Sequence, residues 1–111
     1  MEITLRTAGD VRIVDLKGNV TLGAGEQKMR EAIDQLLASG QKKILLNFAS
    51  VGILDSSGIG AIIKSFTTAK REGGSLKLVN LSSLARQMLS VTGLLSVLEV
   101  FDDESSALAS F

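Results

Sequence analysis

Apolar positions along this chain alternate between a two-residue and a three-to-four-residue rhythm. In residues 2–7, Ile3 and Leu5 alternate with polar neighbours, which predicts a half-buried strand. Ala8-Gly9-Asp10 reads as a tight turn. The β-branched and apolar run 11–17 pairs back as a hairpin. Residues 18–25 form a glycine-rich connection. Residues 26–39 then carry Met29, Ile33, Leu36 and Leu37 on one helical face. Glu26 and Arg30 stand four apart on the other side, and Gly40 sits where a left-handed helix stop belongs.

Residues 43–48 contain Ile44-Leu45-Leu46, a continuous apolar run suited to a strand covered on both faces. A second helix follows, with Ile59, Ile62, Ile63 and Phe66 at the spacing of one buried stripe. Lys64, Ser65, Thr67, Thr68 and Lys70 are assigned to its solvent face, and Glu72-Gly73-Gly74 ends it. Residues 76–79 predict a strand. Asn80-Leu81-Ser82-Ser83 caps a helix that buries Leu84, Met88, Leu89 and, at its end, Val91. Thr92-Gly93 closes that helix, and residues 97–101 predict the last strand. Asp102-Asp103-Glu104 opens a short helix docked by Ala107, Leu108 and Phe111.

Two strands followed by alternating helix and strand imply an α/β fold. We expect an N-terminal hairpin and a mostly parallel sheet of about five strands with about four helices. The expectation is a single domain over residues 1–111. Binding sites in such sheets gather where strands end at their carboxyl edge. Three connections belong there: residues 18–25, 51–57 and 80–83. All contain hydroxyls, and they should make one continuous surface.

The stretch Asp55-Ser56-Ser57-Gly58-Ile59-Gly60 is the centre of that surface. It joins a buried strand to a helix, whose first N–H groups lack intrahelical partners. Ser56 or Ser57 is expected to cap them. The same helix tip also favours a phosphate. The plain reading is a capped helix and nothing more. Against it, three polar residues precede two glycines, each costing roughly 0.8–1.0 kcal/mol in a helix interior. Glycines there would admit another backbone or a bulky ligand. Ile59 lies between them as the first core contact, partly exposed. A nucleotide reading fails on detail, because Ile63 stands where a third glycine is needed and no Walker lysine follows.

Composition removes several chemistries. There is no Cys and no His among the 111 residues, so no thiolate nucleophile, imidazole base or Ser-His-Asp triad is available. A hydrolase built on Ser57 lacks a base. No metal or other cofactor is expected. Twelve Lys plus Arg balance twelve Asp plus Glu, which removes the electrostatic case for nucleic acid or an anionic membrane. With no Trp or Tyr and four Phe, a base-stacking surface is not expected either. No apolar run reaches bilayer length. The first residues lack the layout of a signal peptide, so the expected location is the cytoplasm. The sequon matches at Asn19 and Asn80 are then read as chance.

The turn after the Ile-Leu-Leu strand resembles the signature of bacterial anti-sigma factor antagonists. These belong to the STAS class (sulfate transporter and anti-sigma antagonist). The likeness runs from the opening hairpin, through Leu16-Lys17-Gly18 before the first helix, to the acidic C-terminal helix. It implies a non-enzymatic protein phosphorylated on Ser57 by an anti-sigma factor that is itself an ATP-dependent serine kinase. The unmodified form would bind that kinase and free a sigma factor. A serine phosphatase would reverse the mark. The implied docking residues are Asn19, Thr21, Gly23, Asp55, Ser56, Ser57, Gly58, Ile59 and Ser82. Where the family often has Gly-Glu-Leu-Asp, this chain has Gly18-Asn19-Val20-Thr21, so a hydroxyl replaces a carboxylate. The alternative within the fold is a scaffold or transporter-accessory domain without reversible phosphorylation. The pair Ser56-Ser57 disfavours it, because a lipid-transport relative resembles Asp-Thr-Ala-Gly in this turn.

Overall fold

A computed structural model describes residues 1–111. The elements are β1 (Glu2–Ala8), β2 (Val11–Val20), α1 (Ala24–Ala38), β3 (Lys43–Leu54), α2 (Ser56–Arg71), β4 (Ser75–Val79), α3 (Ser83–Val91), β5 (Val100–Phe101) and α4 (Glu104–Ala109). The five strands form one sheet in the order β1-β2-β3-β4-β5. β1 and β2 are antiparallel, and every later pairing is parallel.

Chain order equals spatial order, so right-handed crossovers place α1, α2 and α3 on the same face. Ile44 and Leu46 point into the larger core, with Met29, Ile33, Ile62 and Leu89. Leu45 points the other way, into a smaller cluster with Val11, Ile13, Val79 and Ala107. α4 alone covers that second face. Lys77 crosses it, nearly buried, with its Nζ on the Ser110 carbonyl (2.7 Å) and on Glu99 (2.9 Å). The Phe111 ring lies 4.7 Å from the same ammonium.

The structure corrects four boundaries. β2 continues to Val20 and β3 to Leu54, because the two strands stay paired through Lys17↔Ser50, Gly18↔Val51 and Val20↔Leu54. The pairing is irregular around Asn19, so Gly and Asn mark a bulge there and not a loop. α1 begins two residues early, at Ala24. The last strand shrinks to Val100–Phe101, because Leu94–Ser96 forms a 3₁₀ turn after a left-handed Gly93. Two facial assignments also change. Ser65 is buried, since it falls on the same face as Ile62 and Ala69. Leu84 and Val91 face outward at 69% and 80% exposure, leaving Ala85 and Leu89 as the buried side of α3.

Candidate functional site

The site is built where β3 hands over to α2. Asp55 is the cap, in an extended conformation, and its Oδ1 accepts the Gly58 N–H at 2.9 Å. Its Oδ2 accepts the Leu22 N–H at 3.1 Å, tying the β2–α1 loop to the helix tip. These N–H groups, Gly58 first and Leu22 next, hold the Asp55 carboxyl below its ordinary range, so it is charged at neutral pH. The expectation that Ser56 or Ser57 caps α2 is thereby corrected. A carboxylate takes the duty because it accepts two N–H groups at once. Neither serine hydroxyl is engaged by a protein partner; Ser56 is exposed and Ser57 half-exposed.

The two glycines have different causes. Gly58 is buried, and a Cβ there would strike the Val20 carbonyl oxygen and the Leu54 side chain. The backbone it admits is the chain's own β2, which corrects the reading of Gly58 as room for a visitor. Gly60 is exposed, with nothing within 4 Å of a would-be Cβ. Ile59 is 9% exposed and packs in the larger core.

The other expected residues converge on the same edge. Asn19 Oδ1 accepts the Ile53 N–H at 3.0 Å, fastening the ends of β2 and β3. Thr21 is half-exposed, and its carbonyl receives the Glu26 N–H at 3.0 Å. Gly23 is exposed with φ 95°, a conformation suited to glycine, and its carbonyl starts α1. Ser82 is exposed, but its hydroxyl caps α3 by accepting the Ala85 N–H at 3.1 Å. A narrow cleft lined by Val51, Gly52, Leu54, Leu81 and Ser82 joins the third connection to the second.

Sequence reasoning missed the apolar ring around this tip. Six large hydrophobic side chains are exposed, and four of them, Leu22, Ile53, Leu84 and Val91, belong to the segments that flank the serines. A groove of about 420 Å³ runs between α2 and α3, lined by Ser56, Ile59, Leu84, Met88 and Val91 among others. The missed signal lay in α3. Its strict buried pair, Ala85 and Leu89, is four apart and needs neither Leu84 nor Val91.

The STAS domain profile matches residues 2–107, nearly the whole chain. The chain belongs to the STAS domain family. Among its relatives is the anti-sigma-B factor antagonist of Bacillus subtilis, 32% identical over 72 residues. That match spans 65% of this chain and 65% of the relative, just under two thirds of its length. The anti-sigma F factor antagonist of Paenibacillus polymyxa is 24% identical over 109 residues, covering 97% and 92% of the two chains. The Bacillus cell fate determinant SpoIIAA in its phosphorylated form shares the fold, with a TM-score of 0.75 at 21% identity over 98% of each chain. SpoIIAA in its unphosphorylated form gives 0.74 at 18% identity over 98% and 96%. That shared fold is, in this chain, the α/β architecture expected from the sequence: a mostly parallel sheet of five strands with four helices. No helix of this STAS chain is long and apolar enough to cross a membrane.

Proposed function

We propose that this STAS protein is an anti-sigma factor antagonist whose docking is switched off by phosphorylation of Ser57. The observation that carries the reading is the division of labour at the α2 tip. Asp55 does the capping, so the Ser57 hydroxyl is held at a fixed, half-exposed position with no internal partner. The names of the Bacillus and Paenibacillus relatives support the antagonist role. A fold neighbour known in phosphorylated and unphosphorylated forms supports the switch.

In the unmodified state the partner is an anti-sigma factor with serine kinase activity. Asn19, Thr21, Gly23 and Ser82 supply the polar rim of the docking face around Asp55, Ser56 and Ser57. Gly58 and Ile59 seat the tip on the core from below. Leu22, Ile53, Leu84 and Val91 provide the apolar contact area, which the partner must bury to bind. Phosphoryl transfer forms the Ser57 Oγ–P bond and breaks the bond between the γ-phosphorus and the ADP oxygen. The hydroxyl proton goes to a base on the partner, since this chain has no histidine. Hydrolysis by a serine phosphatase returns the hydroxyl.

Phosphorylation adds about −1.5 to −2 charge at neutral pH. The positive end of the α2 dipole accommodates it, so the fold stays as it is. Docking does not accommodate it. A dianion beside ionised Asp55, inside an apolar ring, must lose its water without gaining a partner. A loss of about 3–4 kcal/mol corresponds to several hundredfold in affinity. Calorimetry with the cognate anti-sigma kinase tests this. Ser57→Ala binds as tightly as the parent, whereas Ser57→Asp binds weakly. Equal affinities for the two variants rule out occlusion by charge.

A further inference from the structure

The two edges of the sheet are finished differently. β5 is two residues long, too short to recruit another strand. β1 is seven residues long, regular, free of proline and bulge, and nothing covers its outer side. Its N–H and C=O groups on that side are therefore open to another chain. Leu5 is 52% exposed on this strand. With Ile3 it lines a groove of about 530 Å³ against Lys28, Glu31 and Leu36 of α1.

The hairpin fixes which groups face outward. Ala8 pairs with Val11 across a two-residue turn, Gly9-Asp10, which makes that pair a hydrogen-bonded one. Alternation then makes Arg6↔Ile13, Thr4↔Asp15 and Glu2↔Lys17 the pairs bonded to β2. Ile3, Leu5 and Thr7 consequently turn their backbone groups to the free side.

We infer that β1 is a self-association edge, on which a second copy of this chain adds its own β1 antiparallel about a two-fold axis at Thr4. In that register Ile3 meets Leu5 of the second copy and Leu5 meets its Ile3. Both are hydrogen-bonded pairs, matching the groups left open. Their side chains fall on the α1 side, so four apolar groups close over the two grooves. On the opposite side Glu2 comes opposite Arg6 of the second copy, whose guanidinium is also held by Asp15 and Glu104 of its own chain. No like charges face each other across the axis. One register thus satisfies the backbone and the apolar pairs together, and sets no like charges directly opposite. The result is one ten-stranded sheet, with each serine tip two strands in from the junction. The inference does not depend on the proposed switch.

Thr4 provides the test. It would oppose itself in a non-hydrogen-bonded pair, where Cα atoms lie about 4.5 Å apart, within disulfide reach. The chain has no cysteine, so Thr4→Cys places a single thiol on the axis at an exposed position. Thr67→Cys, exposed on α2, serves as the collision control. Under mild oxidation Thr4→Cys should form covalent dimer at least about tenfold faster than Thr67→Cys, through the raised effective concentration of paired thiols. Sedimentation equilibrium of the parent protein should show mass rising toward twice the chain mass with loading. Leu5→Lys, a change at an exposed site, should remain monomeric. A parent protein that stays monomeric to near-millimolar loading overturns the inference. So does crosslinking of Thr4→Cys no faster than the control, or dimerisation of Leu5→Lys equal to the parent.

Discussion

α2 and α4 begin with the same local device and end up in different surroundings. Each is capped by an aspartate, Asp55 or Asp103, whose Oδ1 accepts the N–H three residues on. Each has a serine two residues after the cap, Ser57 or Ser105. The second carboxylate oxygen separates them. In α4 it accepts the Ser106 hydroxyl of the same helix. In α2 it reaches the Leu22 N–H, 33 residues away, and orders a neighbouring loop. The settings differ as well. Ser105 stands among Asp102, Asp103 and Glu104, two of which are held by Arg86 and Arg6. Ser57 is flanked by segments carrying four exposed apolar side chains. A cap followed by a serine is therefore only a helix start. A cap that also ties a second loop, beside exposed apolar side chains, is the arrangement on which the proposed docking rests.

The largest expected effect breaks the comparison outright. Ser57→Asp should lower affinity for the anti-sigma kinase several hundredfold, an effect of about 3–4 kcal/mol. Ser105→Asp should leave it unchanged, and calorimetry on both variants checks the contrast. Next comes the backbone beneath the tip. Gly58→Ala forces a methyl against the Val20 carbonyl and should destabilise the fold by about 1–3 kcal/mol in urea denaturation. The apolar ring follows. Leu84→Asp should weaken docking about tenfold or more, roughly 1.4 kcal/mol, because the ring no longer buries cleanly. Its melting temperature should stay at the parental value, since Leu84 is 69% exposed.

Smaller effects sharpen the picture. Gly60→Ala meets open space in a helix interior and should stabilise α2 by about 0.5–1 kcal/mol. Paired with Gly58→Ala, it separates the glycine the fold needs from the one it does not. Finally, N–H donors hold both cap carboxyls below their ordinary range, Gly58 and then Leu22 for Asp55, Ser106 for Asp103. A depressed carboxyl contributes stability that is present above the unfolded value, about 3.9 for Asp, and lost as pH falls through the folded value. The urea midpoint should therefore decline below about pH 4. Asp55→Ala should flatten that decline more than Asp103→Ala, because Asp55 also anchors Leu22.

Much of this arrangement was legible in the sequence. The run Ile44-Leu45-Leu46 announced a strand covered on both sides, and the structure splits it between the two cores. The spacing of Met29, Ile33, Leu36 and Leu37 gave the buried face of α1 as found. Asp55-Ser56-Ser57 was legible as a helix start, but not which residue would cap it. That depended on Leu22, which only folding brings near. Glycine and asparagine at 18 and 19 hid three further residues of β2, because a bulge and a loop share those residue types. Ser65 read as solvent-facing from its chemistry and is buried by its phase on the helix. Leu84 and Val91 were hidden for the opposite reason. An apolar residue on a short helix suggests a core contact, and its exposure appears only once the packing face is known.

The account stands most directly on where a phosphate lands. The protein is incubated with the anti-sigma serine kinase proposed as its partner and ATP, then weighed intact and mapped by fragmentation. The account predicts a single phosphate on Ser57 and none on the Ser57→Ala variant. Phosphate on Ser105 or Ser56, or tight kinase binding with no phosphate transferred, would contradict it.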